Sequence, residues 1–210
     1  MKILKLNLIL TVIVLATLLS SNVYSQSSVG LGLEGGVNIS NISVTPDFST
    51  GTRTGFMVGG FADFGVSPII SIKPGVRFVM KGFTGTNNLT GVTFTDKLNY
   101  LEIPLLLQVN VPLQRIKPYF TAGPTLGIQL SASEELTNGT QVQDADASSI
   151  YGTIDIGLYF GGGLSFHVAN NTDVFTGFGY SLGLSNISKV TTFQGKNYGI
   201  QFISGIKFSL

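Results

Sequence analysis

The chain has 210 residues, a formal net charge of +1 and no cysteine, and only 11% of its residues are charged. Soluble domains have about a quarter of their residues charged, so this chain lacks the charges that a wholly water-exposed surface needs. The near-neutral balance argues against nucleic acid or another polyanion as a partner. The absence of cysteine excludes disulfides and a lipid-modified N-terminal cysteine.

The first 25 residues have the layout of a secretory signal peptide. Lys2 and Lys5 precede an apolar run that ends at Leu19, and small or polar residues follow. The run is too short for a comfortable transmembrane helix, which favours a cleaved signal over a retained anchor. We therefore expect residues 1–25 to be removed on export and residues 26–210 to form one domain. That domain would keep ten basic and eleven acidic residues, because two lysines leave with the signal.

Eight segments after the signal alternate apolar and polar side chains with a period of two, which is the pattern of β-strands. The last segment is the clearest: Tyr198, Ile200 and Phe202 share one face, and Gly199 and Gln201 share the other. The predicted strands are 29–40, 53–66, 69–82, 97–111, 117–130, 151–168, 173–185 and 197–210.

The predicted connections alternate between long and short along the chain. No segment after residue 25 is long and apolar enough for a membrane-spanning helix, and only a closed sheet otherwise satisfies every backbone polar group in lipid. We therefore predict an all-β fold: an eight-stranded antiparallel up-and-down transmembrane β-barrel with short periplasmic turns and longer extracellular loops. Its location would be a bacterial outer membrane. The longest loop, 131–150, is acidic and shows no strand pattern.

Charged side chains within the bodies of the predicted strands, away from the strand ends, all lie on the polar face. They are Glu34, Asp63, Lys73, Arg77, Lys81, Glu102, Asp155 and Lys207. A Lys or Arg facing lipid would cost about 2 to 4 kcal/mol, so we assign the polar face to the lumen, against the alternative of a soluble lipocalin-like barrel. An eight-stranded interior is just wide enough for side chains to fill. We expect the four acids and four bases to form a packed ion-pair network there.

Three prolines, Pro74, Pro104 and Pro124, fall inside predicted strands. Each removes a hydrogen-bond donor from the ladder. We expect a β-bulge or a local break at each position.

Enzymatic, metal and cofactor sites are not predicted. Hydrolytic catalysis needs a nucleophile beside a base that a third group orients. The single histidine, His167, shares a strand face with Ser165, but such positions are about 7 Å apart. The acidic residues of the longest loop lack the ordered spacing of a calcium site.

Several short motifs resemble the PorT-like outer-membrane β-barrel family of Bacteroidota. They are YLEIPLL at 100–106, PY at 118–119 with GP at 123–124, GYSLGL at 179–184 with NI at 186–187, and GIKF at 205–208. The resemblance covers nearly the whole mature chain and implies a porin-like outer-membrane barrel that the barrel-assembly machinery inserts. That machinery commonly reads a C-terminal strand ending in an aromatic residue, so Phe208 and Leu210 would form the assembly signal here. The namesake of the family is associated with a secretion system.

Two functional hypotheses remain, with a small pore as a third. The favoured one is a non-enzymatic outer-membrane protein that is surrounded by outer-membrane lipid. Its surface loops or outer wall would contact a partner protein, a surface ligand or lipopolysaccharide. The second is a component of a secretion or assembly complex that contacts other envelope proteins. The pore would require lumen charges that are unpaired or mobile.

Overall fold

The computed structural model describes residues 29–45, 49–86, 92–113, 116–138 and 141–210. The predicted signal peptide lies outside these residues. The strands are β1 (Val29–Thr45), β2 (Thr50–Gly65), β3 (Ile70–Thr86), β4 (Thr93–Asn110), β5 (Ile116–Asn138), β6 (Gln141–Asp146), β7 (Ile154–Ala169), β8 (Thr172–Gly183) and β9 (Gln194–Ser209). The described residues contain no helix that is long and apolar enough to span a membrane.

Eight of the strands close into a ring. Strands β1 to β5 pair with their neighbours in sequence, β5 then pairs with β7, and β7, β8 and β9 follow in order. Strand β9 pairs with β1, with Gly30 opposite Ser209 and Thr45 opposite Gln194, and this pairing closes the barrel. All pairings are antiparallel. The predicted eight-stranded antiparallel up-and-down barrel is thereby confirmed.

The segment 131–150 differs from the predicted irregular loop. Strand β5 continues to Asn138, and β6 returns beside it with Ser133 opposite Asp146. Strand β4 flanks the same part of β5, with Thr93 opposite Thr137. The result is a three-stranded extension at the end of the barrel that carries the longer connections. The alternation pattern does not reveal this strand because residues 142–146 are all exposed and the two apolar side chains, Val142 and Ala145, lie on opposite faces.

Side chains on the ring alternate between the outside and the interior. On β9, for example, Phe202 is 54% exposed whereas its neighbour Gln201 is fully buried. The outward positions of the ring form an apolar belt that includes Leu33, Phe56, Val58, Leu107, Phe120, Ile154 and Phe178. The belt is the apolar face that the sequence pattern predicts.

The interior holds two apolar clusters in addition to polar groups. The lumen core comprises Met57, Phe61, Val79, Leu106, Tyr119, Tyr159, Phe175 and Ile203. The cap core lies at the long-connection end and comprises Ile42, Val44, Phe83, Leu98, Tyr100, Ala132, Ala147, Tyr151 and Ile187. The sequence pattern predicts an inner face of small and polar residues. The residues that line the barrel are more apolar than this prediction.

The three strand prolines interrupt the ladder without shifting its register. Pairing skips the positions around Pro74 between β2 and β3, around Pro104 between β3 and β4, and around Pro124 between β4 and β5. It resumes in the same register on each side. A local break, one of the two expected irregularities, is therefore present at each proline. The register shifts that do occur in these described strands lie elsewhere, for example between Asn99 and Tyr100.

Candidate functional site

A group of buried charges crosses the middle of the lumen. The Arg77 Nε atom donates to Glu102 Oε1 over 2.8 Å, and the Lys81 Nζ atom lies 2.9 Å from Glu102 Oε2. The same ammonium lies 3.1 Å from Asp155 Oδ2, and Arg77 Nη1 lies 3.7 Å from Glu34 Oε1. These five residues are called the central ion cluster below.

The register of the sheet explains this convergence. Arg77 and Lys81 are both on β3, four residues apart, and therefore point to the same face. Glu102 is directly opposite Arg77 on β4, so one carboxylate reaches both cations. Asp155 on β7 closes the cluster from across the lumen, and the ring of Tyr159 lies 5.1 Å from the Arg77 guanidinium carbon.

A second group of charges lies at the end of the barrel that carries the short turns. The Lys207 Nζ atom is 3.0 Å from Asp63 Oδ2 and 3.6 Å from Asp173 Oδ2. Asp173 Oδ1 also lies 2.9 Å from the Nδ1 atom of His167. Asp173 was not among the predicted lumen charges, although it lies two residues before Phe175 on the inward face of β8.

Lys73 differs from the other predicted lumen charges. Within the described residues its ammonium makes no ion pair; it donates to Gln108 Oε1 over 3.2 Å. It also lies 3.9 Å from the ring centroid of Phe61 and 5.2 Å from that of Phe175. The structure thus brings seven of the eight predicted residues into two clusters, and the eighth, Lys73, lies between them against an amide and two aromatic rings.

Polar side chains near the cap add hydrogen bonds that the sequence did not point to. The amide of Asn38 donates to the Met80 carbonyl over 2.8 Å, and the Ser40 hydroxyl donates to the Gly82 carbonyl over 2.9 Å. The Arg53 guanidinium donates to the Lys81 carbonyl. These contacts tie β1 and β2 to β3 above the central ion cluster.

The long connections fold over this end of the barrel. Ile187 is fully buried in the cap core, and its backbone N–H donates to the Gly195 carbonyl over 2.8 Å. Tyr151 forms an isolated bridge with Ser188. Asp96, 5% exposed, lies beside Tyr151. Burial, with a smaller contribution from the nearby Glu134, raises the pKa of its carboxyl to about 6, whereas a hydrogen bond with Tyr151 opposes the shift.

The lumen has little free volume between these groups. One cavity of about 20 Å³ lies beside Glu34, Lys73 and Arg77, and another of about 10 Å³ lies beside Asp63, Lys73 and Lys207. A single water needs roughly 10 to 15 Å³ by this kind of measure, so each cavity is about the size of one water. Neither of these two cavities has room for a larger solute.

Metal binding and the predicted assembly signal are the two remaining features. The described part of the chain contains no group of three or more His, Asp or Glu side chains arranged to hold a metal ion. Phe208, at the end of β9, points outward and is 45% exposed, and Leu210 follows it at the end of the chain. Their role as an assembly signal stays a prediction.

Several solved outer-membrane proteins are similar to this structure. A major outer membrane protein from Thermus thermophilus is 12% identical with a TM-score of 0.53, over 87% of this chain and 99% of that one. Neisserial surface protein A is 17% identical with a TM-score of 0.49, over 86% and 97%. Outer membrane protein W of E. coli is 11% identical with a TM-score of 0.47, over 89% and 100%. The Thermus thermophilus likeness shows the fold alone. Among curated proteins, none was matched.

A family model described as outer membrane protein beta-barrel domain matches residues 24–189. This range extends from before β1 to beyond the end of β8 and includes the central ion cluster. Barrels of the outer membrane keep their short turns on the periplasmic side and their longer loops outside, which makes the cap the extracellular end. The chain belongs to the outer membrane protein beta-barrel domain family.

Proposed function

We propose that this protein is a non-enzymatic outer-membrane barrel with a sealed lumen, and that it acts through its extracellular end. The central ion cluster carries the proposal, because Arg77 is 2% and Glu102 1% exposed at mid-height in an eight-stranded ring. A conducting path would have to separate these charges, and breaking a buried ion pair costs on the order of 3 to 5 kcal/mol. The lumen therefore supports the fold, and contact with other molecules falls to the outer surfaces.

The extension formed by β4, β5 and β6 is the surface best suited to such contact. Lys97 on β4 lies 2.6 Å from Glu135 on β5 and 3.6 Å from Asp144 on β6, so one lysine links all three strands. The cap core supports the base of the extension through Ala132 and Ala147. An acidic hairpin that extends from the barrel by strand pairing presents a partner with a charge pattern to recognise.

Membership of a secretion or assembly complex is the second candidate. The resemblance of the motifs at 100–106 and 179–184 to the PorT-like family of Bacteroidota supports it. In that case the contacts would lie on the outer wall or the periplasmic turns. The barrel-assembly machinery, acting on Phe208 and Leu210, would be a transient partner during insertion in either case.

A comparison of two variants separates these candidates. The first replaces the hairpin residues 134–145 with a two-residue Asn-Gly turn, which suits a short hairpin, and keeps Ala132, Ala147 and Tyr151 in the cap. The second, Leu113→Ser, alters an exposed residue of the periplasmic turn after β4. Each protein is extracted gently from its own outer membrane, and its native mass and co-purifying proteins are measured.

The proposal predicts that the hairpin variant loses its co-purifying partner while the Leu113→Ser protein keeps it. Unboiled samples of both should still migrate as folded barrels in detergent gels. A partner that remains on the hairpin variant and is lost from the turn variant would contradict surface recognition and favour the secretion or assembly role.

A further inference from the structure

The hydrogen-bond ladder of the barrel wall has a gap near its extracellular rim, because β8 leaves β9 after Leu182 and the chain rejoins β9 where the Ile187 N–H donates to the Gly195 carbonyl. Pairing between β8 and β9 stops at Leu182 opposite Tyr198, whereas β1 stays paired with β9 as far as Gln194. Beyond Gly183 the chain turns towards β7, and the N–H groups of Leu184 and Ser185 both donate to the Ile156 carbonyl over 2.8 and 3.2 Å. An open concavity of about 640 Å³ results, called the wall notch below.

The wall notch combines an apolar outer lining with polar groups. Its outward-facing residues include Tyr180, Leu182, Leu184 and Tyr198, and the two tyrosine rings lie 6.5 Å apart. Lys196 lines the notch one outward position above Tyr198. The volume is within the range of roughly 300 to 1,000 Å³ that is usual for ligand sites.

The notch lies at the depth of the outer-leaflet headgroups. The outward residues of β9 run from Phe208 near the periplasmic end to Tyr198, which at about 3.3 Å per residue and the usual strand tilt gives a height of about 25 Å. That is the height of the apolar band of an outer-membrane barrel. Tyr198 thus lies at its outer edge, where aromatic girdles occur, and Lys196 lies in the headgroup layer.

The cation of the notch is exposed. Lys196 makes no ion pair with the described residues. Its neighbour Asn197 faces the lumen, where its Nδ2 atom donates to Asp155 over 2.9 Å. The two side chains therefore lie on opposite faces of β9, and Lys196 is the one that meets a ligand on the outer wall.

We propose that the wall notch binds one phosphate-bearing lipid of the outer leaflet. One acyl chain lies along Tyr180, Leu182 and Leu184, and the phosphate pairs with Lys196. An apolar solute would leave this lysine unpaired. This site belongs to the wall and does not depend on recognition by the extracellular hairpin.

Lipid binding to the purified full-length protein tests the proposal, with dioleoyl-phosphatidylglycerol as the probe and native mass spectrometry as the readout. Dioleoylglycerol, which keeps the acyl chains and lacks the phosphate, is the comparison lipid. Lys196→Gln removes the cation, and Lys117→Gln makes the same charge change at the periplasmic end. Ser43→Trp fills the notch from β1, where Ser43 is an exposed lining residue. Gel mobility of unboiled samples shows that each variant is folded.

We expect one saturable phosphatidylglycerol site in the wild-type protein, weakened about tenfold by Lys196→Gln, as for the loss of one charge-assisted contact. Lys117→Gln should leave the affinity unchanged, and Ser43→Trp should abolish the site. Dioleoylglycerol should bind the wild type about as weakly as phosphatidylglycerol binds Lys196→Gln. Equal affinity in the wild-type and Lys196→Gln proteins, or an undiminished site in the folded Ser43→Trp protein, would overturn the proposal.

Discussion

The ammonium of Lys81 lies 2.9 Å from a carboxylate oxygen of Glu102, and both side chains are buried. The other oxygen of that carboxylate bonds to Arg77, so one negative charge holds two buried cations. Glu102→Gln would leave both cations undercompensated. We expect this substitution to lower the free energy of unfolding by about 3 to 5 kcal/mol.

Denaturant unfolding in detergent, followed by the gel mobility of unboiled samples, measures this loss. Glu135→Gln is the matched control, because its partner Lys97 is partly exposed and such surface pairs contribute only about 0 to 1 kcal/mol. Similar losses for the two variants would show that the central ion cluster does not support the barrel.

The glycine-rich inner face of β8 makes room for a tyrosine. A Cβ atom at Gly179 would overlap the hydroxyl oxygen of Tyr159, whereas a Cβ at Gly35 would meet its nearest atom at 3.6 Å. Gly179→Ala should therefore destabilise the barrel by about 1 to 3 kcal/mol through overpacking, and Gly35→Ala should not. The penalty of Gly179→Ala should vanish in a chain that also carries Tyr159→Ala. An undiminished penalty in that double variant would rule out this contact as the cause.

The buried Asp96 makes the stability of the cap depend on pH. Burial raises the pKa of Asp96 from 3.8 to about 6 in the folded protein, so the folded state binds the proton more tightly than the unfolded chain. This contribution to stability is complete below about pH 4 and is lost as the pH rises to about 6. Between these values the wild-type protein should lose up to roughly 2 kcal/mol relative to Asp96→Asn.

Urea unfolding of the two proteins across this pH window provides the comparison. Asp146→Asn, at an exposed position on β6, is the control and should keep the pH dependence of the wild type. Parallel pH profiles for the wild-type and Asp96→Asn proteins would show that Asp96 is not the titrating group.

The ring was predictable from the sequence because one face of each strand must be apolar along its whole length. The same requirement excluded charges from the outer face, which is why Arg77, Lys81 and Glu102 could be assigned to the interior. Asp173 was not predicted as a lumen charge because it is the second residue of β8, directly after a tight turn. The alternation of apolar and polar side chains cannot be recognised from the first two residues of a strand. The alternation also says nothing about which inward pairs meet across the lumen.

The inward aromatic residues could not be derived from alternation either. Phe61 and Phe175 lie on the polar face and break the pattern, yet they pack against each other with ring centroids 5.7 Å apart. Only the three-dimensional arrangement shows that they fill the space around Lys73. The hairpin of β5 and β6 could not be predicted because residues 142–146 are all exposed. An exposed strand without an apolar face shows no alternation in the sequence.

Single-channel recording in a planar bilayer tests the sealed lumen most directly. The purified full-length protein should insert and remain silent across a range of voltages, because the central ion cluster and the lumen core fill its interior. A chain carrying both Arg77→Ser and Glu102→Ser removes one buried ion pair of that cluster and serves as the control for detection, with small openings expected. Steady, reproducible conductance by the wild-type protein would contradict the account and restore the small pore as its function.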